Sequence, residues 1–338
     1  MDESLDVKNV DDEGFRLIGR RGFVKALSIA ALLATGMPQI ANAIVPQPFE
    51  VTQIGGFSYS DRHNWALYGW GRDFLNAAYG GGRNDLDLGL VNERKRLFHI
   101  DAHHDTTYDS DGLIFFNSAN FYEGFLSNDI SYEEKLEGLQ KETYETSIGM
   151  FVSKAFALGI FDEMFWVRPR WDLARDSDLG EKKYRLEDVH NGIPTFKSFK
   201  LVEVPVDYEG DERVLTINSI TADQIPQYAN SGLDIFDFDF DYLSCSGQGR
   251  PAWWSIDNFN SEAREKYLKI NEVVDGKIRN PYSPIYEASL DEIDSSIAEI
   301  EDVLKTLSDP LSLTAALSRS FLFRDQVDYI DDAFRSMV

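Results

Sequence analysis

Cysteine is almost absent from this sequence: Cys245 stands alone among 338 residues. A single thiol cannot build an internal disulfide framework or a cysteine-based zinc site. Positive charge is scarce as well, since 33 Lys and Arg face 58 Asp and Glu, for a formal net charge of -25. That excess runs along the whole chain, and a polyanion of this kind repels nucleic acid and anionic membrane surfaces. No nucleic-acid partner is therefore expected, while a cationic substrate is compatible with the charge. Long apolar runs are missing too. The stretch from Ala26 to Ala34 is too short and too rich in small residues to span a bilayer, so no stable membrane insertion is expected. There is no internal repeat and no Pro-, Gly- or Ser-rich linker. What is present, 43% hydrophobic and 13% aromatic residues, suffices for a sizeable packed core.

Just before the short apolar run stands Arg20-Arg21-Gly22-Phe23-Val24-Lys25, and after it Ala41-Asn42-Ala43 sets small residues at the spacing of a signal-peptidase site. The pattern resembles a bacterial twin-arginine signal. It implies a removable segment over residues 1–43, a periplasmic or exported location, and a single domain over 44–338. That route carries folded proteins.

Through the rest of the chain, apolar strands alternate with amphipathic helices. Strands are predicted over Val51 to Tyr59, Arg96 to Asp101, Glu163 to Val167, Lys197 to Val206, Arg213 to Asn218, Leu233 to Asp241 and Leu313 to Leu317. Helices are predicted from Asn64 to about Ala78, Tyr132 to Glu145, Ser147 to Leu158, Leu290 to Leu307 and Gln326 to Met337. The alternation predicts an α/β fold, a largely parallel sheet covered on both faces in three α/β/α layers.

Four of the five histidines (His63, His99, His103, His104) fall within one short part of the chain. Around them runs Leu97-Phe98-His99-Ile100-Asp101-Ala102-His103-His104-Asp105. If the strand continues, Asp101, His103 and Asp105 point the same way. At the carboxyl end of a parallel strand they face the crevice where α/β proteins bind ligands. Oxygen and imidazole donors without thiolate suit a hard or borderline divalent ion such as manganese. A second acidic group, Asp237, Asp239 and Asp241, alternates with Phe236, Phe238, Phe240 and Tyr242, its members about 6.6 Å apart along a strand. Carboxylates so arranged must meet either water or metal. Two clusters of hard ligands at strand ends are what a two-metal site needs.

Together these residues resemble the pattern of the arginase (ureohydrolase) superfamily, and their wording is closest to its peptide-arginase branch. The phrases that carry this are "DRHNWAL", "LFHIDAHHD", "DFDFDYLS" and "LSRSF…QVDYIDDAF". The resemblance implies an arginase-deacetylase type of fold and two manganese ions per chain. Its ligands would be His63, Asp101, His103, Asp105, Asp239 and Asp241. Asp239 and Asp241 are preferred to Asp237 as lying nearest the strand's end, which leaves Asp237 behind the ligands or as an alternative one. The implied reaction is hydrolysis of an arginine side chain within a peptide to ornithine and urea, with Asp105 orienting the attacking hydroxide and His104 beside the metals. Phe115, Phe116, Phe121, Tyr122 and Phe125, with Trp253 and Trp254, could line a peptide-binding mouth at the same sheet edge, although such aromatics are more often core. Arg319 is expected to hold a substrate carboxyl or carbonyl, and Glu123 or Asp237 to balance the guanidinium charge. The chain departs from the family in three places, one being that Asp237, Asp239 and Asp241 compete for the two acids of the Asp-x-Asp motif. Asn117, Ser118 and Asn120 stand where arginases carry a proton-shuttling histidine, and Leu317-Ser318-Arg319-Ser320 lacks the late-strand glutamate. A single-zinc deacetylase of the same fold is disfavoured by the presence of both His63 and Asp105. A non-catalytic binder of cations or basic peptides would hold metal without turnover.

Overall fold

Strand Arg96–Ile100 is apolar on both sides, and its neighbours show what that requires. Leu97 enters one core cluster while Phe98 and Ile100 enter another. A strand buried on both faces belongs inside a sheet with helices above and below. In a computed structural model of the chain, residues 51–338 are described except 81–84, 107–112, 147, 172–180, 190–194, 211, 230–231, 247–252, 256–272, 275–276, 280–285 and 308. The expected export segment, 1–43, lies outside the described residues.

The strands are Thr52–Ile54 (β1), Phe57–Ser60 (β2), Arg96–Ile100 (β3), Leu113–Phe116 (β4), Glu163–Val167 (β5), Lys182–Asp188 (β6), Lys197–Val204 (β7), Val214–Ile220 (β8), Asp234–Asp239 (β9), Trp253–Ser255 (β10), Val273–Val274 (β11), Lys277–Arg279 (β12) and Ser312–Ala316 (β13). The helices are Ala66–Ala78 (α1), Leu88–Asn92 (α2), Ala119–Phe125 (α3), Tyr132–Glu145 (α4), Phe151–Leu158 (α5), Ile225–Tyr228 (α6), Leu290–Leu304 (α7) and Val327–Met337 (α8). Ten strands form one sheet in the order β1-β2-β13-β9-β3-β5-β8-β6-β7-β4. Every pairing from β2 to β8 is parallel, whereas β1 and the β6-β7-β4 flank run antiparallel. The sheet is thus mixed but mostly parallel. On one face α1, α4 and α5 cover Leu97, Met164 and Ile235; on the other α7 and α8 cover Phe98, Phe165 and Phe236. Reciprocal capping boxes, Ser131 with Glu134 and Ser289 with Glu292, start α4 and α7. Among the described residues no helix is long and apolar enough to cross a membrane.

Several expectations need correction. The first strand is a hairpin, because Gly55 and Gly56 take φ of +52° and +90° and turn the chain back. β6 reads Lys-Lys-Tyr-Arg-Leu-Glu-Asp and is half-buried over most of its length, so no period of two announced it. Of the aromatics that could have lined a peptide mouth, most take the commoner role in the core: Phe116, Phe121 and Phe125 are buried, and Phe116 and Tyr122 pack on Phe199 of β7. Trp253 and Trp254 form a small sheet with β12 and β11, and their side chains lie outside the described residues.

One buried ion pair braces the helices over the site. Lys154 Nζ on α5 donates to Glu142 Oε2 on α4 at 2.6 Å, and Glu142 Oε1 accepts from the Asn117 backbone. Removing one partner of such a pair leaves the other charge unmatched in the interior. Lys154→Met is therefore expected to lower unfolding stability by about 3–5 kcal/mol in chemical denaturation, and an unchanged midpoint would show that the pair carries no structural load.

Candidate metal centre

The parallel register brings the two acidic motifs side by side, with His99 of β3 directly opposite Asp237 of β9. Beyond those residues the strands end, and short turns rather than strand alternation aim the remaining side chains. β3 stops at Ile100, and Asp101 Oδ1 accepts the backbone N–H of His103 at 2.6 Å, closing a tight turn. Asp105 then adopts φ +43°, a left-handed conformation that Asp tolerates better than most residues, and its carboxylate turns back to the cluster. β9 likewise stops at Asp239, whose Oδ1 accepts the N–H of Asp241 at 3.2 Å and starts the short helix Phe240–Tyr242.

All six expected ligands converge. His63 Nδ1 lies 2.7 Å from Asp239 Oδ2, 3.1 Å from Asp101 Oδ2 and 3.2 Å from Asp105 Oδ2. Next to them His103 Nδ1 lies 2.8 Å from Asp241 Oδ2 and 3.5 Å from Asp101 Oδ1. Asp101, Asp239 and Asp241 also offer oxygens within 4.8 Å of one another. Two ligand sets thus adjoin, and Asp101 touches both. Neighbouring donors on one ion, bonded at about 2.1 Å and at right angles, stand about 3 Å apart. The separations around His63 match that spacing.

The electrostatics point the same way. Burial alone would lower the pKa of His63, but the charges of Asp237 and Asp239 outweigh it and hold the ring well above the ordinary range. Burial likewise opposes protonation of His99, yet Asp101 and Asp237 raise it to about 9. His103 rises well above its usual value because Asp241 and Asp101 overcome its desolvation. Burial, then Asp101, pushes Asp105 up, and burial with Asp101 and Asp239 pushes Asp241 well up. Asp101 moves well below the carboxylate range despite burial, because His99, His103 and His63 surround it. Without metal, then, protons supply the positive charge this cluster demands. Even so, His63 Nδ1, His99 Nε2, Asp101 Oδ2 and His103 Nε2 are buried with no hydrogen-bond partner. The donor set, all imidazole and carboxylate apart from one neighbouring thiol, fits divalent cations of the manganese type.

Asp237 sits behind the ligands, as its strand position allows. Its Oδ2 accepts from His63 Nε2 at 2.6 Å, and its Oδ1 accepts from Thr314 Oγ1, which in turn accepts from Trp70 Nε1 at 2.7 Å. Ser318 Oγ donates to Asp239 Oδ2 at 2.7 Å.

The other expected site residues are placed differently. His104 turns away from the cluster: its Nδ1 accepts from Thr106 Oγ1 at 2.7 Å and its ring stands edge-on to Trp166. Burial and the positive His103 and His99 lower its pKa to about 4, so the ring is neutral. Glu123 is exposed on α3, and its charge acts on Tyr122 and Lys197 rather than on the cluster. The reason is that α3 follows β4, the outermost strand of the antiparallel flank. Arg319 follows Ser318 at the rim, half-exposed, with its Nε 3.2 Å from Asp61 Oδ1. Asn117, which the motif resemblance sets where a shuttle histidine would be expected, donates from its side chain to Glu145 and from its backbone to Glu142. Sequence reasoning overlooked Thr314 and Ser318, which carry no signal of their own. Cys245, read from the sequence as a small buried residue beside the site, is buried, and its sulfur lies within ligand reach of His103 and Asp241. Sequence reasoning also passed over His99, although the period of two from Asp101 marks that residue.

No protein-family model matches this chain, and no curated protein matches it.

The geometry separates the two central aspartates by experiment. Asp239→Asn is expected to release metal on dialysis, since its oxygen lies on the ligand side of His63. Asp237→Asn, which loosens the support of that ring, should weaken binding by about 10–100-fold. The reverse order of damage, read by elemental analysis, would move the ligand register by two residues.

Proposed function

We propose that this protein is a binuclear-metal hydrolase of arginase-deacetylase type, with a three-layer α/β/α fold, acting on an arginine side chain within a peptide. The observation that carries the reading is the convergence of His63, Asp101, His103, Asp105, Asp239 and Asp241 into two adjoining donor sets. The motif resemblance supplies the reaction class, and the net charge of -25 suits a cationic substrate. Residues 1–43 would direct export.

His63, Asp105, Asp101 and Asp239 would hold one ion, and His103, Asp241, Asp101 and Asp239 the other. Two divalent ions held there would supply Lewis-acid activation of water, lowering its pKa toward neutrality. The protein's own groups do the rest. Asp105, its carboxylate turned back into the cluster beside His63, would orient the attacking water and accept its proton. Asp237 keeps the His63 ring oriented with its proton on Nε2. Ser318 fixes the Asp239 carboxylate from the β13 side. His103 is the most exposed member of the cluster, so substrate enters beside it, past Phe321 and the Arg319 rim. Asp61, exposed at that rim, offers a carboxylate to a guanidinium, and Arg319 is placed to hold a peptide carbonyl or carboxyl.

With manganese present, arginine-containing peptides are expected to release urea and leave ornithine residues, while free arginine turns over poorly. Asp105→Asn should lower kcat by about 10²–10⁴-fold. Urea assay and peptide mass spectrometry test both statements, and hydrolysis of acyl-lysine without urea release would replace the arginase reading with a deacetylase.

A further inference from the structure

Two imidazoles hang on one carboxylate oxygen in the interior. Asp237 Oδ2 meets His63 Nε2 at 2.6 Å and His99 Nδ1 at 2.8 Å. Each ring thereby carries a proton on its Asp237 side. The opposite nitrogens then converge. His63 Nδ1 and His99 Nε2 lie 3.1 and 3.2 Å from the same atom, Asp101 Oδ2. All three atoms are buried, and none has a hydrogen-bond partner. The rings are nearly parallel, 12° apart with centroids at 5.2 Å, and Phe151 packs against both. His99 thus stands toward Asp101 as His63 does, held by the same carboxylate and equally enclosed.

Something positive must lie among these atoms. A proton on His99 Nε2 would serve a single nitrogen–oxygen pair, and that contact has no hydrogen-bond geometry. A metal ion serves the whole group at once, since donor atoms of His63, His99, Asp101 and Asp105 all lie within 4.8 Å of one another. We propose that His99 is a ligand, through Nε2, of the same ion as His63. This rests on the two-metal reading and goes beyond it, because the motif resemblance gives that ion only one histidine.

The consequence is an asymmetric pair. One ion has His63, His99, Asp101, Asp105 and Asp239 as donors, leaving a single place in a six-coordinate shell for water or substrate. The other has one imidazole, from the more exposed His103, and fewer protein donors. The first ion is therefore held more tightly and the second exchanges more readily.

Cobalt(II) is a suitable probe, since its paramagnetism shifts the ring N–H resonance of each coordinated imidazole far from the protein envelope. The full-length chain is stripped of metal and titrated with Co²⁺, with bound metal followed by equilibrium dialysis and shifted, water-exchangeable resonances counted by proton NMR. The expected result is two ions bound in two steps and three shifted ring N–H signals at saturation, from His63, His99 and His103. His99→Gln should remove one signal and weaken the tighter step by at least ~10-fold while leaving the weaker step nearly unchanged. Two ions with only two signals in the unmodified protein would overturn the ligand role of His99 and leave the two-metal reading standing. No bound cobalt would remove both. The count in the unmodified protein decides the matter even where the variant fails to fold.

Discussion

Burying five aspartates at one end of a sheet is the constraint on which the rest of this structure depends. Asp101, Asp105, Asp237, Asp239 and Asp241 are all withdrawn from water, with His63 and His99 fully enclosed among them. Moving such ions out of water costs several kcal/mol each after relaxation. The aromatic packing beside them cannot offset that. Phe98 stacks between Phe165 and Phe236 at 4.9 and 4.8 Å, and pairs of this kind contribute about 0.5–1.5 kcal/mol each beyond area burial. Positive charge inside the cluster has to make up the difference. Imidazolium protons can do so in part, and under the proposed function two divalent cations would complete it.

The scaffold follows from that requirement. Ligands must come from neighbouring strands in fixed register, and parallel pairing of β3 with β9 and of β9 with β13 provides it. Period-two alternation lets one strand serve two purposes, so that β9 sends Phe236 and Phe238 to one core while Asp237 and Asp239 face the other side. Polar contacts then fix the carboxylates from behind, by Trp70 and Thr314 at Asp237 and by Ser318 at Asp239. This is the support that keeps a metal site from being merely approximate.

Much of this was legible in the sequence. Elements with a strong period appear where expected: Tyr132–Glu145 and Glu163–Val167 match to the residue, and α7 and α8 nearly so. The Asp-His-Asp run and the alternating aspartates marked two acidic motifs in the sequence, and the motif resemblance picked out the six proposed ligands among them. The physical route to their convergence was not legible. Strand alternation was the expected device, whereas the chain uses an Asp101 turn, a left-handed Asp105 and an Asp239-capped helical turn. Hydroxyl partners such as Thr314 and Ser318 leave no trace in sequence, since Ser and Thr are common everywhere. The aromatics of β4 and the helix after it stayed ambiguous because a Phe or Tyr reads the same whether it lines a mouth or fills a core, and packing on the antiparallel flank of β6, β7 and β4 decides for the core. Of that flank β7 was predicted, whereas β6 was not, being half-buried and charged.

The claim at the centre of this account is that cations hold the aspartate cluster together. Anomalous diffraction from crystals grown with Mn²⁺ tests it most directly. The account predicts two peaks roughly 3.5–4 Å apart, one beside His63 Nδ1 and one beside His103 Nδ1, with Asp101 and Asp239 between them. A single peak, or none, with the carboxylates still gathered would contradict it.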